Sequence, residues 1–251
     1  MRRLLPEPPV DLDPDSLPAV VAAEARPAPD GRPWVALNMV ASIDGAITVD
    51  GRSGGLGGAS DLAMFRALRE MPDVILAGAG TVRTEDYGPV VLGDEGRARR
   101  RARGQSERPR LVVVTASLRL DPAARLFSDT SNRPIVLTCE RAPGDARRRM
   151  AEVADVLVVG DDDVDLPAAL RQLSSVGVET VLCEGGPTLN ARLLTDDLVD
   201  EWCQTIAPVA ATGSELRGSA GAPPGVVRGF RLARLVTDED GVLLTRYVRE
   251  S

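Results

Sequence analysis

Residues 181–194 read VLCEGGPTLNARLL. The aliphatic run Val181–Cys183 stops at the carboxylate of Glu184 and a glycine pair, and Pro187-Thr188 then opens a helical pattern. Proline suits the first position of a helix because its missing N–H would find no partner there anyway. The stretch therefore reads as buried strand, glycine turn, helix. Two readings of the turn stay open at this point. It is either a tight structural corner, or a bare backbone on which a phosphate meets the free N–H groups of the next helix.

The same grammar recurs upstream. In DVILAGAGTVRTEDYGP (residues 73–89) Gly78 and Gly80 follow a buried strand, and Thr81 starts a short helix. Arg83 stands where a third glycine would complete a dinucleotide fingerprint, so that fingerprint is absent. Further strand signals are WVALNMVAS, RLVVVT, PIVLT, DVLVVG and EWCQTIAPVA, with helical patterns between them. SDLAMFRALREM reads as a helix capped by Ser60, with Leu62, Phe65 and Leu68 facing inward. DLPAALRQLSSVG reads as another, capped by Asp165 and stopped by Gly177. FRLARLVTDEDGVLLTRYVR closes the sequence as a hairpin turning at Asp240-Gly241.

Strands alternating with helices imply an α/β protein. We expect three α/β/α layers, a mostly parallel sheet and a C-terminal antiparallel hairpin. Residues 1–32, rich in Pro, Asp and Ala, read as an extended N-terminal arm, and residues 33–251 as one domain. GRARRRARGQSERPR (residues 96–110) reads as a solvated, mobile loop.

Composition narrows the chemistry. A net charge of −7 argues against general nucleic-acid binding. All 30 basic residues are arginine, which excludes Schiff-base lysine chemistry and a Walker-type phosphate lysine. Histidine is absent too, and with it Ser-His-Asp and Cys-His catalysis and imidazole-based zinc sites. No metal is expected. Cys139, Cys183 and Cys203 lack CxxC spacing and read as buried, reduced core residues. Without a membrane-length apolar run or a secretory leader, the expected location is the cytoplasm. A third glycine-rich stretch, ASIDGAITVDGRSGGLGGAS (residues 41–60), suits a loop that moves or lies close to a ligand. Two glycine-lined helix starts plus such a loop suit a long ligand with several phosphates, and a dinucleotide is the natural candidate.

Taken in order, NMVASIDGAI, ILAGAGTVRTED and VLCEGGPTLNARLLTDDLVDEWCQTIAPVAATG resemble the reductase domain of the riboflavin-biosynthesis deaminase–reductases, from residue 33 to about 249. These pyrimidine reductases have a dihydrofolate-reductase-like fold. The resemblance implies NADPH as hydride donor, a small-molecule phosphoribosylamino-pyrimidine as substrate (5-amino-6-(5-phosphoribosylamino)uracil) and a homodimer. It implies that Ser42 and Asp44 lie beside the substrate ring and the nicotinamide, with Asp44 as catalytic candidate. Glu184 then faces the substrate, and Arg69 lies near its phosphate. Ala41, Gly78, Gly80, Thr81, Val82, Glu85, Gly185, Gly186, Pro187, Thr188 and Leu189 are implied to contact the cofactor. Arg83 or Thr84 is the candidate for the 2′-phosphate, Arg83 because its planar fork suits phosphate. Two departures stand out. Ala46 replaces the family's usual lysine, and the arginine that binds the substrate phosphate has no aligned counterpart. A pterin or dihydrofolate-type reductase on the same fold therefore remains an alternative, as does a non-catalytic nucleotide-binding protein. The deaminase signature is missing, so only the reductase half is expected.

Overall fold

The computed structural model describes residues 1–212, 216–221 and 225–250. Gly213, which ends the third motif, and Ser251 lie outside the described residues. In chain order the elements are β1 (Arg2–Leu5), β2 (Val10–Asp11), α1 (Leu17–Ala22), β3 (Trp34–Ser42), α2 (Ala59–Arg69), β4 (Val74–Gly78), α3 (Ala79–Thr84) and α4 (Asp94–Ala102). They continue with β5 (Arg110–Val114), β6 (Ile135–Thr138), α5 (Gly144–Ala151), β7 (Asp155–Val158), α6 (Leu166–Ser175), β8 (Thr180–Cys183) and α7 (Pro187–Thr195). The last three strands are β9 (Glu201–Ala207), β10 (Phe230–Thr237) and β11 (Leu243–Arg249).

All strands join one sheet in the order β2-β1-β10-β11-β9-β3-β8-β4-β5-β6-β7. From β9 to β7 every pair is parallel, and from β9 to β2 every pair is antiparallel. The parallel strands are covered on both faces, which explains their unbroken aliphatic runs. On one face Val35, Leu37, Val181 and Val112 pack under α6 and α7. On the other, Trp34, Ala36 and Leu182 meet Leu17 and Val21 of α1 and Met64 and Leu68 of α2, while Ile75 and Val113 meet α3 and α5. The three expected layers and the terminal hairpin are present. Asp165 caps α6 by accepting from Ala168 N at 2.9 Å, and all three cysteines are buried and free.

Three expectations need correction. Residues 1–32 are not simply an extended arm. They contribute β1, β2 and α1, and Leu17 and Val21 are fully buried. The 96–110 run is not a mobile loop. Most of α4 lies in it, and Arg100 is buried, donating to the carbonyls of Glu70, Pro72 and Ser106. An arginine can be buried when carbonyl oxygens satisfy its fork, which a charge count does not reveal. Finally, Ser60 lies inside α2 and not at its cap, and Leu62 is exposed. The helix is rotated so that Met64, Ala67 and Leu68 face the sheet. That leaves Asp61, Phe65 and Arg69 on a second stripe at i, i+4 and i+8.

The N-terminal segment is held by a buried ion cluster. Glu201 on β9, fully buried, accepts from Arg26 Nε and Nη2, each at 2.9 Å, from Arg246 Nη2 at 2.9 Å and from Trp34 Nε1 at 3.2 Å. Burial pushes the Glu201 carboxyl up, but Arg26 and Arg246 outweigh it and hold the pKa down at about 2. A depressed carboxylate contributes stability that is present above its unfolded value, ~4.3, and lost as pH falls through the folded one. Urea midpoints should therefore decline from about pH 4 towards pH 2, and more weakly in Glu201→Gln. Parallel acid profiles for the two proteins would remove this cluster from the account.

Candidate functional site

A cleft of about 980 Å³ opens where β3, β8, β4 and β5 end. Open α/β sheets place ligands at the carboxyl ends of their parallel strands, and the volume lies within the range of small-molecule sites. At one end the starts of α3 and α7 meet. Gly78 N donates to Gly185 O at 2.7 Å, tying the two glycine turns together. Gly185 has φ +89°, a backbone region other residues adopt at a cost. Gly186 is the N-cap of α7, and a Cβ there would lie 2.6 Å from Thr81 Oγ1. The two helix starts are thus in contact, with their backbone lining the cleft. Free N–H groups at helix starts can hold an anionic group. Thr115 and Ser117, beyond β5, extend the same wall.

The other end is built on α2. Arg69 donates through Nε and Nη2 to both oxygens of Glu184, each at 2.7 Å, and Tyr87 Oη donates to Glu184 Oε2 at 2.6 Å. The Arg69 guanidinium lies 4.2 Å from the Phe65 ring centroid and 5.6 Å from that of Tyr87. Burial pulls the Arg69 pKa down, but the Glu184 charge outweighs it and the guanidinium is held above its usual value. Burial first, and Glu184 second, push the Tyr87 phenol well above its usual value, so it remains a donor. Two helical turns from Arg69, Asp61 lines the same cleft. Burial raises its carboxyl above the usual carboxylate range, opposed in part by a hydrogen bond with the Thr205 hydroxyl.

Gly78, Gly80, Thr81, Arg83, Glu85, Gly186, Pro187, Thr188 and Leu189, all expected at the cofactor, line the cleft, as do Arg69 and Glu184. Arg83 is exposed and donates to Arg119 O at 2.9 Å. Glu85 accepts from Ser53 N at 2.9 Å, fastening the glycine-rich loop to the end of α3. Ala41, Val82 and Gly185 are not part of the cleft lining. Ser42 and Asp44 are also outside it. The Ser42 hydroxyl donates to Asp44 Oδ1 at 2.5 Å, and Ala211 N donates to the same oxygen at 3.0 Å. These two bonds lower the exposed Asp44 carboxyl below its usual value. The Asp44 carboxylate thus holds its own turn and ties it to Ala211. Arg69, expected near a phosphate, spends two of its donor positions on Glu184.

Sequence reasoning missed Asp61 and Tyr87. The i, i+4, i+8 spacing of Asp61, Phe65 and Arg69 was the available signal. Among the described residues no cluster suits a metal ion, and no helix is long and apolar enough to cross a membrane.

Comparison with known proteins fits this geometry. Residues 33–244 match the family described as the RibD C-terminal domain. A reductase of Archaeoglobus fulgidus named for 2,5-diamino-6-ribosylamino-4(3H)-pyrimidinone 5′-phosphate is 36% identical over 171 residues, which is 68% of this chain and 78% of that protein. Its namesake in Methanothermobacter thermautotrophicus is 33% identical over 186 residues, 74% and 82% of the two chains. Among solved structures, a pyrimidine reductase-like protein from Corynebacterium diphtheriae superposes with a TM-score of 0.81 at 27% identity, covering 87% of this chain and 92% of that one.

Proposed function

The chain belongs to the RibD C-terminal domain family of pyrimidine reductases, and from that premise we propose that it is an NADPH-dependent reductase of a 5-amino-6-(ribosylamino)pyrimidine 5′-phosphate. The observation that carries this reading is the division of one cleft into two ends. One has two touching helix starts of bare backbone, and the other is a pocket of aromatic and charged side chains. The N–H groups at the start of α7 would hold the cofactor pyrophosphate, with Gly186 allowing close approach. Arg83 would meet the 2′-phosphate, since its partner is a carbonyl and not a carboxylate. When bound, the cofactor would supply a hydride to the first sugar carbon of the ring-opened imine, and a proton on the imine nitrogen would complete the ribitylamino product. Phe65, Tyr87 and the Arg69–Glu184 pair form a fixed wall that orients the ring and excludes water.

NADPH is expected to bind at least tenfold tighter than NADH, about 1.4 kcal/mol, and Arg83→Ser to erase most of that difference. Calorimetric dissociation constants check this, and equal affinity of the wild type for both nucleotides counts against the assignment.

One observation favours a second reading, reduction of a pterin. The other cleft arginines are engaged by carboxylates: Arg69 by Glu184, Arg125 by Asp86 and Arg192 by Asp163. With Arg83 given to the cofactor, a substrate phosphate finds little free positive charge among the residues that line the cleft. NADPH oxidation assayed with both substrate classes side by side decides between them, and binding without turnover of either would support a non-catalytic role. The reading also includes a cytoplasmic location and a homodimer. Trp202, Ile206, Leu232, Leu243 and Tyr247 lie on one half-exposed sheet face, a surface of the kind subunits share. Mass in solution tests the dimer.

A further inference from the structure

Four arginines line the cleft, and they are not equally committed. Arg69 is bound through Nε and Nη2 to both oxygens of the buried Glu184, so the edge that could grip a phosphate is already used. Arg192 donates to Asp163 and to the Val164 carbonyl, neither of which lines the cleft. Arg83 is assigned to the cofactor in the reading above.

Arg125 differs. Only its Nη1 is engaged, by Asp86 at 2.8 Å, and both side chains of that pair are more than half exposed. An ion pair in solvent contributes little, so it yields to a stronger anion. Nε and Nη2, the edge with which a guanidinium holds a phosphate in two parallel bonds, have no hydrogen-bond partner among the described residues. The base of the side chain is fixed. Arg125 opens the helical turn Arg125–Phe127, and the next two residues, Leu126 and Phe127, are buried in the core. Its guanidinium lies against the bare backbone of Gly88, where a Cβ would be 2.6 Å from Nη2. Gly88 directly follows Tyr87, whose hydroxyl reaches Glu184 in the aromatic and charged wall. Arg125 therefore stands at the rim of that end of the cleft, away from the two glycine turns.

We propose that Arg125 is the specificity-determining residue for the substrate's 5′-phosphate, which it grips through Nε and Nη2, and that Asp86 is a stand-in anion that aims the side chain until substrate arrives. This rests on the pyrimidine-reductase reading and deepens it. Phosphate recognition comes from a turn after β5, and not from Arg69 beside the ring. Asp86 also limits the complex it prepares, because with substrate bound it is a like charge next to a dianion.

The test compares kcat/KM, with NADPH, for the 5-amino-6-(ribosylamino)pyrimidine 5′-phosphate and its 5′-hydroxyl counterpart. Wild type should favour the phosphate by at least ~20-fold. Arg125→Ala should bring the two within about threefold of one another, by raising KM for the phosphorylated substrate at nearly constant kcat. That split marks a lost binding contact away from the reacting atoms. Arg125→Lys, a charge without the fork, should fall between. Asp86→Asn keeps an acceptor for Nη1 and suits the backbone there, at φ +49°, but removes the charge. Its KM for the phosphorylated substrate should fall about two- to fivefold. NADPH should bind Arg125→Ala within about twofold of wild type by calorimetry, with melting temperature as the folding control. Equal handling of the two substrates by wild type, or a phosphate preference that survives Arg125→Ala, would overturn the proposal and leave the reductase reading intact. So would NADPH affinity lost in Arg125→Ala, or a KM that rises in Asp86→Asn. No turnover of either pyrimidine by wild type would overturn both.

Discussion

Replacing Glu184 by alanine is expected to cost about 3–5 kcal/mol of stability and to abolish measurable turnover. Glu184 satisfies a guanidinium lodged between two aromatic rings, with both partners mostly withdrawn from water. Removing one partner of such a pair leaves the other charge uncompensated, and that penalty dominates the loss. For a chain of this size the melting temperature should fall by roughly 10 °C. Tyr87 loses its acceptor in the same step. The double variant Glu184→Ala/Arg69→Met removes the orphaned charge, so most of the stability should return while activity does not. A single variant that melts within a degree of wild type would show that solvent already screens the pair. Recovery of turnover in the double variant would remove the pair from the substrate wall.

The second large effect concerns the turn after β8. Gly186→Val is expected to weaken NADPH by about 2 kcal/mol, some thirtyfold, in a protein that still folds. The contact with Thr81 complicates this test, because a Cβ at residue 186 meets Thr81 Oγ1 whether or not a ligand is present. The control is Gly186→Ala with and without Thr81→Ala. If the smaller partner restores affinity fully, the glycine serves only the contact between α3 and α7. If affinity stays low once that clash is relieved, the bare backbone itself faces the ligand. Calorimetry on the three proteins separates the two.

The layered fold was legible because its signals are short-range. Aliphatic runs such as VVV and VLC, and glycine followed by Pro187, specify strand, turn and helix within a few residues. The end of the cleft proposed for the nucleotide inherited that clarity, since it is built from backbone at two such turns. The substrate end did not. Which stripe of α2 faces the sheet depends on Leu17 and Val21, some forty residues upstream, and no local pattern announces their packing. Asp61 therefore passed as an ordinary helix residue. Asp44 shows a different side of this. Its motif is conspicuous, and its carboxylate accepts both from Ser42 beside it and from Ala211, far along the sequence. Arg100 shows the same limit, because neighbouring carbonyls determine whether a basic run stays in solvent.

The pairing of β1 with β10 sets Arg2 opposite Thr237. Glu201 likewise draws its counter-charges from Arg26 and Arg246, one from each end of the chain. During synthesis the first of these segments leaves the ribosome long before its partner strand exists. The loop it must close is nearly the whole polypeptide, and such distant contacts form slowly. Until β10 and β11 arrive, a nascent chain would expose the edges of β1 and β9 and the apolar side of α1, surfaces on which chaperones act and aggregation begins. Yield in a cell should therefore depend on holdase capacity more than final stability would suggest.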